Sequence, residues 1–571
     1  MTGGSTFTRR GLLQGAAALA ALGGEAAAAD AYPAGRAEAA GHPYNLVLIV
    51  TDEESYRLRP AEGFALPARD ELQRRGTTFH RHYIGAAMCT PSRGVMFSGQ
   101  PPQVNGVFDQ MELGYVPSLP LDKPSIGTVF KALGYETAYF GKFELKKDII
   151  TPSKRVNYTE ALTDYGFDTF APDGDKVGAP DQGYRTDGYS AAAGARWLRT
   201  NARAINRAGR PWLLVVSFVS PHDIMYAQVN LPGSREQESQ VGQTILPPPG
   251  ARGFETAWSF PPSPSHFEPM DAPGRPRAHL AYQIGWSAFL GEIPVGATEM
   301  WRRYYNFYLN LIRDNDRTLG GLLAALSDLD LWGSTVVLRT ADHGELAGSH
   351  GGLRGKGPLP YEEESHVPAV IVHPERPGGR DCRALTSHVD LLPTLVGLTN
   401  VAPKRREAAV AGLPGKDFSS LLAAPEAAAA TVLREAVLFN YVGLQTIDAL
   451  YMMRVCRDIA RGRFAPPFSE AKPDLSRRGF INFVFDGRYK FARYFAPTQV
   501  TRPESLEALL ADYEIELFDL ESDPDEMVNL GTAPEARKAL ILRMNALLNR
   551  LLAAEVGPPT DAYLPAALRK A

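Results

Sequence analysis

The sequence predicts an α/β fold, a sandwich of helices around a central and mainly parallel sheet, with a smaller α+β domain at the C-terminal end. Five continuous apolar runs have the length and composition of strands buried on both faces. Helical patterns separate several of these runs, an alternation typical of a parallel sheet covered by helices. The runs occupy residues 45–51, 136–143, 212–219, 334–341 and 367–373.

The clearest helix follows a region of different composition. Proline doublets, glycines and scattered aromatic residues fill residues 224–300, which we interpret as a long irregular insertion. A helix is predicted over residues 302–329, because apolar side chains recur there with the spacing of one buried helix face. These side chains are Tyr304, Tyr308, Leu311, Leu319, Leu322 and Leu326.

The chain divides into a main domain, residues 44–421, and a C-terminal subdomain, residues 431–556. Alanine-rich residues connect them, and residues 557–571 form a tail. Strand-like runs at 480–495 and 515–520 predict a short antiparallel sheet. A closing helix from about Pro534 is expected to pack on that sheet through Leu540, Met544, Leu547 and Leu551.

The composition is that of a folded globular protein. Hydrophobic residues make up 44% of the 571 residues and charged residues 22%, which excludes a disordered or fibrous chain. The formal net charge of -4 provides no basic surface of the kind that nucleic-acid binding needs. We therefore expect no nucleic-acid partner.

Charged side chains follow two of the predicted strands. Asp52 and Glu53 come directly after the first run, and Asp342 and His343 come directly after the fourth. Ligands of parallel sheets bind beyond the carboxyl ends of the strands, so these groups can converge on one divalent ion. Oxygen ligands suit Ca²⁺ or Mg²⁺, and the imidazole also admits Mn²⁺. Taken singly, the acidic pair could instead cap a helix, and the second group could be a turn.

Residues 89–93 read Cys-Thr-Pro-Ser-Arg, which resembles the modification signal of the sulfatase family. The alternative reading is an ordinary buried cysteine before a turn. The resemblance implies an alkaline phosphatase-like fold and the conversion of Cys89 to Cα-formylglycine by a formylglycine-generating enzyme. It also implies one divalent ion, Ca²⁺ by expectation, held by Asp52, Glu53, residue 89, Asp342 and His343.

Further residues match the family's motifs, with departures. Gly141-Lys142-Phe143-Glu144 is similar to the family's Gly-Lys-Trp-His, so Lys142 is expected to contact the sulfate, while Glu144 replaces a histidine. By the same resemblance His222 binds the sulfuryl group or protonates the departing oxygen, Lys356 binds the sulfate, and Arg93 orients residue 89. His350 is a weaker substrate-binding candidate. Glu144 could accept a proton during release of sulfate or recognise a cationic group of the substrate, and it could equally be a solvated loop charge. Glu53 stands where many members have aspartate.

The N-terminal residues 1–29 resemble a twin-arginine export signal. Arg9-Arg10 precedes an apolar run that ends near Gly24, and small residues follow it. The alternative is a basic tail on an amphipathic helix. The run is shorter than the ~20 residues that span a bilayer, so no stable membrane insertion is expected. We predict export by the Tat machinery to the periplasm or beyond, with residues 30–43 as a linker.

The resemblance implies hydrolysis of a sulfate monoester, from a small molecule or a glycan, with release of inorganic sulfate. One alternative keeps the site but hydrolyses phosphonate monoesters or phosphodiesters, because Asp342-His343 resembles choline sulfatases and phosphonate monoester hydrolases. A second alternative is a catalytically silent binding protein on the same scaffold.

Overall fold

The computed structural model describes residues 43–59, 62–150, 158–170, 174–259, 261–463 and 472–569. The predicted export signal, and the predicted linker except for its last residue, lie outside these residues. No helix in the described part of the chain is both long and apolar enough to cross a membrane.

The main domain is built on an eight-stranded sheet of the described residues, in the order β5-β4-β6-β1-β7-β8-β2-β9. The strand β1 lies at its centre and pairs in parallel with β6 and β7, with Leu46 opposite Leu213 and Val336. Only β8 runs antiparallel to its neighbours, so the prediction of a mainly parallel sheet is confirmed. The strands of the two domains are β1 (Asn45–Asp52), β2 (Thr77–Phe79), β3 (His82–Tyr83), β4 (Glu136–Gly141), β5 (Thr169–Phe170), β6 (Trp212–Pro221), β7 (Thr335–Ala341), β8 (Ala369–Val372), β9 (Arg380–Cys382), β10 (Thr386–Ser387), β11 (Val437–Tyr441), β12 (Phe480–Phe485), β13 (Tyr489–Phe495) and β14 (Glu514–Asp519).

Helices cover both faces of the sheet. Leu46 and Leu48 belong to one hydrophobic core and Val47 and Ile49 to another, which explains why β1 reads as an unbroken apolar run. The helices are α1 (Pro67–Arg75), α2 (Cys89–Ser98), α3 (Pro102–Asn105), α4 (Ile126–Ala132), α5 (Lys147–Ile150), α6 (Gln182–Trp197), α7 (Arg203–Arg207), α8 (Arg277–Leu290), α9 (Thr298–Asp328), α10 (Ser349–Gly352), α11 (Glu362–Ser365), α12 (Leu391–Gly397), α13 (Pro403–Ala409), α14 (Ala449–Ala460), α15 (Leu506–Asp512) and α16 (Lys538–Leu551).

The long helix α9 matches its prediction closely. It begins four residues before the predicted start, at Thr298, and all six side chains assigned to its inner face are buried. The preceding insertion is less irregular than predicted, because α8 lies within it. Apolar side chains occur on two sides of α8: Tyr282 and Trp286 are buried, whereas Leu280 and Ile284 are exposed. Such a helix has no single apolar stripe by which the sequence could reveal it.

The C-terminal region carries a separate antiparallel sheet in the order β11-β12-β13-β14. Its last three strands occupy the predicted runs, and α16 packs on β12 and β13 as expected. This helix begins at Lys538, four residues after Pro534. The first strand, β11, and the helix α14 were not predicted.

Candidate active site

Four strand ends and one helix start meet at the carboxyl edge of the main sheet. Asp52 ends β1, Lys142 follows β4, His222 follows β6 and Asp342 follows β7, while Cys89 is the first residue of α2. The order of the strands makes β4, β6, β1 and β7 neighbours, so their ends lie side by side. The sheet therefore brings together residues separated by up to 290 positions, at the edge where α/β folds bind ligands.

Cys89 lies at the centre of this site. Its side chain is fully buried, and its Sγ atom is 3.3 Å from His343 Nε2 and 3.6 Å from Asp52 Oδ1. Burial and the charge of Asp52 raise the pKa of the Cys89 thiol well above its ordinary value. An unmodified Cys89 would thus be a neutral thiol and a poor nucleophile.

The donor set around Cys89 fits a divalent cation. Ligand atoms of Asp52, Cys89, Asp342 and His343 all lie within 4.8 Å of one another, and all four residues are buried. His343 Nδ1 donates a hydrogen bond to Gly344 O at 3.0 Å, which leaves the lone pair of Nε2 directed at the cluster. Two carboxylates and one imidazole are ligands that Ca²⁺, Mg²⁺ or Mn²⁺ accept.

Glu53 occupies the side of the site that faces His222 and Lys356. Its Oε2 atom lies 2.6 Å from Lys356 Nζ and 3.9 Å from His222 Nε2. Its Oε1 atom is buried without a hydrogen-bond partner. Burial raises the pKa of Glu53 well above its ordinary value despite the nearby lysine. Ligand atoms of Asp52, Glu53 and His222 lie within 4.8 Å of one another and form a second possible ligand set, which does not include Cys89.

Two buried cations balance the acidic groups. Lys142 Nζ lies 2.5 Å from Asp52 Oδ2, and Arg93 Nη2 lies 3.3 Å from the same atom and 2.9 Å from Asp342 Oδ2. Burial alone would raise the pKa of Asp52, but Lys142, His222 and Arg93 hold it well below its ordinary value. Arg93 Nη1 also donates to Lys142 O and to Ser217 Oγ, both at 2.8 Å. The guanidinium therefore fixes the position of the lysine loop.

Glu144 is a fully buried member of the site and not a solvated loop charge. Its Oε2 atom lies 3.1 Å from Lys142 Nζ, and neither carboxyl oxygen has a hydrogen-bond partner. Its backbone is left-handed, with φ 57°, and the Glu144 N–H donates to Asp175 Oδ2 at 2.7 Å. Burial outweighs Lys142 and raises the pKa of Glu144 well above its ordinary value.

His222 is positioned by groups that the sequence analysis did not identify. Asp187, on α6, accepts hydrogen bonds from the backbone N–H groups of Val219 and Ser220, each at 2.8 Å. The imidazole packs so closely on Gly178 that a Cβ atom there would lie 2.7 Å from the ring. Burial and two nearby lysines lower the pKa of His222 well below its ordinary value. Neither Asp187 nor Asp175 follows a strand, so nothing in the sequence marked them.

His350 contacts a different set of residues from those around Cys89. Its Nδ1 atom lies 2.9 Å from Glu268 Oε2, and its Nε2 atom lies 3.4 Å from Glu363 Oε2. The ring is stacked on Tyr361 with 3.4 Å between ring centroids. The structure brings the other ten residues that the sequence proposed as ligands or catalytic groups into one cluster. They are Asp52, Glu53, Cys89, Arg93, Lys142, Glu144, His222, Asp342, His343 and Lys356.

Two curated proteins are similar to this chain over much of its length. Arylsulfatase K of Bos taurus is 24% identical over 550 residues, which cover 93% of this chain and 86% of the bovine protein. A Caenorhabditis elegans protein named as a homolog of the extracellular sulfatase Sulf-1 is 25% identical over 386 residues. That match covers 64% of this chain and only 48% of the nematode protein, so the chain spans about half the length of that relative.

Solved structures show the same fold. A 2-O GAG sulfatase superimposes with a TM-score of 0.59 at 20% identity, covering 90% of this chain and 93% of the other. The phosphonate monoester hydrolase of Agrobacterium radiobacter superimposes with a TM-score of 0.61 at 19% identity, covering 89% and 95%. The family profile named Sulfatase matches residues 44–401, more than half of the chain. The chain therefore belongs to the sulfatase family of sulfuric ester hydrolases.

Proposed function

We propose that this protein hydrolyses a sulfate monoester with a formylglycine nucleophile derived from Cys89, beside a divalent cation. The observation that carries the proposal is the position of Cys89, with Sγ 3.3 Å from His343 Nε2 and 3.6 Å from Asp52 Oδ1 among buried cations. A hydrated aldehyde supplies two hydroxyl groups, one to attack sulfur and one to expel sulfate afterwards. A serine or an unmodified cysteine lacks this second group.

The metal would be held by Asp52, Asp342, His343 and residue 89, with Ca²⁺ as the proposed ion and Mg²⁺ or Mn²⁺ as alternatives. Its charge would stabilise the negative charge of the nucleophile and of the sulfuryl oxygens. Glu53 is proposed to complete the site through Oε1, which has no hydrogen-bond partner. Because Lys356 contacts Oε2 of the same carboxyl group, Glu53 would also hold that lysine in place.

The remaining residues are proposed to bind and orient the ester. Lys142 and Lys356 are buried ammonium groups that would neutralise the nonbridging sulfuryl oxygens. His222 Nε2 faces the same space. The negative charge of the bound ester would offset the two lysines that lower the pKa of His222, so that the imidazole could carry a proton and donate it to the departing oxygen. Enzymes lower the barriers of such reactions by roughly 8 to 23 kcal/mol, so these contributions must act together.

The modification can be tested by measuring the mass of the peptide that contains residue 89 in active protein. Conversion of the thiol to an aldehyde reduces the mass, whereas a plain cysteine in fully active protein would refute the proposal. Cys89→Ala is expected to abolish turnover and to leave the thermal midpoint nearly unchanged. Wild-type rates in that variant would also refute it. A protein with unmodified Cys89 and no turnover would be the silent scaffold considered above.

A second candidate reaction uses the same site. Phosphonate monoester hydrolysis has a transition state of similar geometry but different charge, and the fold is shared with a phosphonate monoester hydrolase. The ratio of kcat/KM for matched aryl sulfates and aryl phosphonates distinguishes the two. A ratio in favour of the phosphonate would reassign the natural reaction.

We also propose a substrate class and a location for the protein. A sulfated glycan is proposed as substrate because one relative in fold is a GAG sulfatase. Export through the Tat machinery to the periplasm or beyond is proposed from residues 1–29, and an extracellular sulfatase homolog is among the relatives. Formylglycine formation in the cytosol would precede this export.

A further inference from the structure

A second buried group of potential metal ligands lies at the junction between the main domain and the C-terminal domain. His350 is on the short turn α10, Glu363 is on α11, and Glu526 follows β14. Single ligand atoms of the three residues lie within 4.8 Å of one another. Their exposed fractions are 0%, 5% and 1%. Three separate segments of the chain thus contribute one ligand each.

The two atoms that face each other most directly make no hydrogen bond. His350 Nε2 and Glu363 Oε2 are both buried, neither has a partner with hydrogen-bond geometry, and they form a long ion pair with each other at 3.4 Å. This separation is long for a charge-assisted hydrogen bond, which is about 2.7–2.9 Å. Two ligands each about 2.1 Å from one tetrahedral ion stand about 3.4 Å apart. The geometry therefore suits a shared ion better than a direct bond.

Two of the three ligands, His350 and Glu526, are fixed by contacts on their far sides. His350 Nδ1 donates to Glu268 Oε2 at 2.9 Å, which sets the tautomer that leaves Nε2 free to bind a metal. The ring is held flat against Tyr361. Glu526 Oε2 accepts from the backbone N–H of Glu362 at 2.7 Å. Carboxylate support of a histidine ligand is the usual arrangement of protein metal sites.

Lys490 is the cation that would compete with a metal ion for Glu526. Its Nζ atom lies 2.7 Å from Glu526 Oε1, but it also contacts Glu362 Oε1 at 2.8 Å and Pro360 O at 2.9 Å. The ammonium group can therefore keep two partners when Glu526 Oε1 binds an ion. Burial would lower the pKa of His350, but Glu268 and Glu363 outweigh it and raise the pKa to about 9. In the absence of an ion, a proton on the ring offsets part of the negative charge.

A surface pocket borders Glu363, one member of the group. This pocket of about 80 Å³ is lined by Glu363 and Ser349 together with aromatic and charged side chains, among them Trp301, Tyr305 and Arg57. Ser349 Oγ donates to Glu363 Oε1 at 3.4 Å, so the carboxyl group links this pocket to the buried cluster. A hydrated ion can approach Glu363 from this side.

We propose that His350, Glu363 and Glu526 bind a divalent transition-metal ion, Zn²⁺ or Mn²⁺, that links the C-terminal domain to the main domain. One imidazole nitrogen and two carboxylate oxygens suit these ions. The site would be structural, because His350, the weaker substrate-binding candidate of the sequence analysis, contacts Glu268, Glu363 and Tyr361 rather than the residues around Cys89.

The test counts Zn²⁺ bound to the full chain, with the catalytic cluster disabled by Asp342→Asn and His343→Asn. Protein stripped with a chelator is dialysed against buffered Zn²⁺, and bound zinc is measured by elemental analysis. One ion per chain is expected in this background and none after His350→Asn. His279→Asn is the matched control, because His279 is a buried histidine at the same junction, bonded to Tyr494 OH at 2.7 Å. It should still bind one ion.

A background protein that binds no zinc would overturn the proposal, and so would equal binding with and without His350→Asn. Glu268→Gln keeps all three ligands and avoids the risk that His350→Asn fails to fold. Loss of such a supporting group typically weakens metal binding about 10–100-fold, so an unchanged affinity in Glu268→Gln would also count against the site. The measurement is independent of turnover, so failure of the proposed reaction would not affect it.

Discussion

Single residues at the carboxyl edge of the sheet show how neighbouring charges decide the chemistry of a buried carboxyl group. Asp52 and Glu53 are adjacent in the sequence and equally buried, yet the pKa of Asp52 is lowered and that of Glu53 is raised. The difference arises because Asp52 faces Lys142, His222 and Arg93, whereas Glu53 faces Lys356 and the carboxyl group of Glu345. Asp52 is therefore the stronger anionic ligand of the pair.

Lys356→Ala should mainly weaken binding of the sulfuryl group. Lys356 is buried and its ammonium group contacts Glu53, so its removal also leaves a carboxyl group without its cation. We expect KM for an aryl sulfate to rise at least about tenfold, a change of about 1.4 kcal/mol. Unaltered kinetics would exclude a role for Lys356 in binding. Lys538→Ala, at an exposed lysine of the C-terminal helix, is the control and should have no effect.

Glu144→Gln tests whether this carboxyl group acts in its neutral form. Because burial raises its pKa, Glu144 is protonated at pH values between its ordinary pKa and the raised one, and it can donate a hydrogen bond. Wild-type activity should then fall as pH rises through the raised pKa, while glutamine, which also donates, should keep activity within about tenfold and extend it to higher pH. The pH dependence of kcat/KM for both proteins is the measurement.

The opposite result would identify Glu144 as a base. A carboxylate that removes a proton contributes about 10²–10⁴-fold, and glutamine cannot replace it. A loss of that size in Glu144→Gln, together with wild-type activity that increases with pH, would contradict the neutral form.

At the scale of elements, the helix α6 positions a catalytic loop that it does not belong to. Asp187 binds the two backbone N–H groups before the His222 turn, and Asn315 of α9 donates to the same carboxylate at 3.2 Å. Arg69 of α1 in turn donates to Asn315 Oδ1 at 3.1 Å. Helices on one face of the sheet thus set the orientation of His222 through a series of buried, hydrogen-bonded polar side chains.

Asp187→Asn should impair leaving-group protonation. The amide can accept only one of the two backbone hydrogen bonds, so the His222 turn should shift, and a displacement of about 1 Å can cost roughly 10²-fold in rate. We expect kcat to fall more for aryl sulfates with poor leaving groups than for those with good ones. An equal loss for all substrates would indicate a purely structural role. The exposed Asp328→Asn, with 64% of its side chain accessible, is the control.

The contact between the strands β4 and β6 requires a glycine at position 141. Gly141 ends β4 with φ 104°, and a Cβ atom there would lie 1.8 Å from the carbonyl oxygen of Ser217 on β6. Only glycine fits at this point, because the backbone must turn away from a neighbouring strand that it touches. The turn places the next residue, Lys142, against Asp52.

At the scale of the whole molecule, buried ion pairs join the two domains. Arg434, at the start of the C-terminal domain, donates from Nε and Nη2 to the two carboxylate oxygens of Asp390 at 2.9 and 2.5 Å. Asp390 immediately precedes α12 of the main domain, and both residues are buried. The pair therefore fixes the chain where the domains meet.

Arg434→Ala should destabilise the protein strongly, because it leaves the Asp390 carboxylate buried without its partner. Removing one member of a buried pair costs about 3–5 kcal/mol, whereas an exposed pair contributes about 0–1 kcal/mol. Arg550→Ala is the matched control, because Arg550 pairs with Glu435 at a site where both side chains are more than half exposed. Urea unfolding of the two variants is the measurement, and equal midpoints would contradict a structural role for the buried pair.

The sequence by itself determined the long apolar strands, the α/β class and most members of the candidate cluster. Buried parallel strands must be apolar throughout, so β1, β6 and β7 are visible as runs, and the residues that follow them must lie at one edge of the sheet. The modification signal around Cys89 is also local in sequence. These features depend on the chain over a few residues, which is the range that a sequence pattern records.

Only the tertiary structure decided the burial of Glu144, the support of His222 by Asp187 and the separate environment of His350. Each depends on contacts between segments far apart in the chain, such as His350 with Glu268, 82 positions away. The helix α8 was hidden for a related reason, since it carries apolar side chains on two sides and only the packed structure shows that one side is buried and the other exposed. A hydrogen bond or a desolvated carboxyl group is a property of the packed neighbours, and no local pattern encodes it.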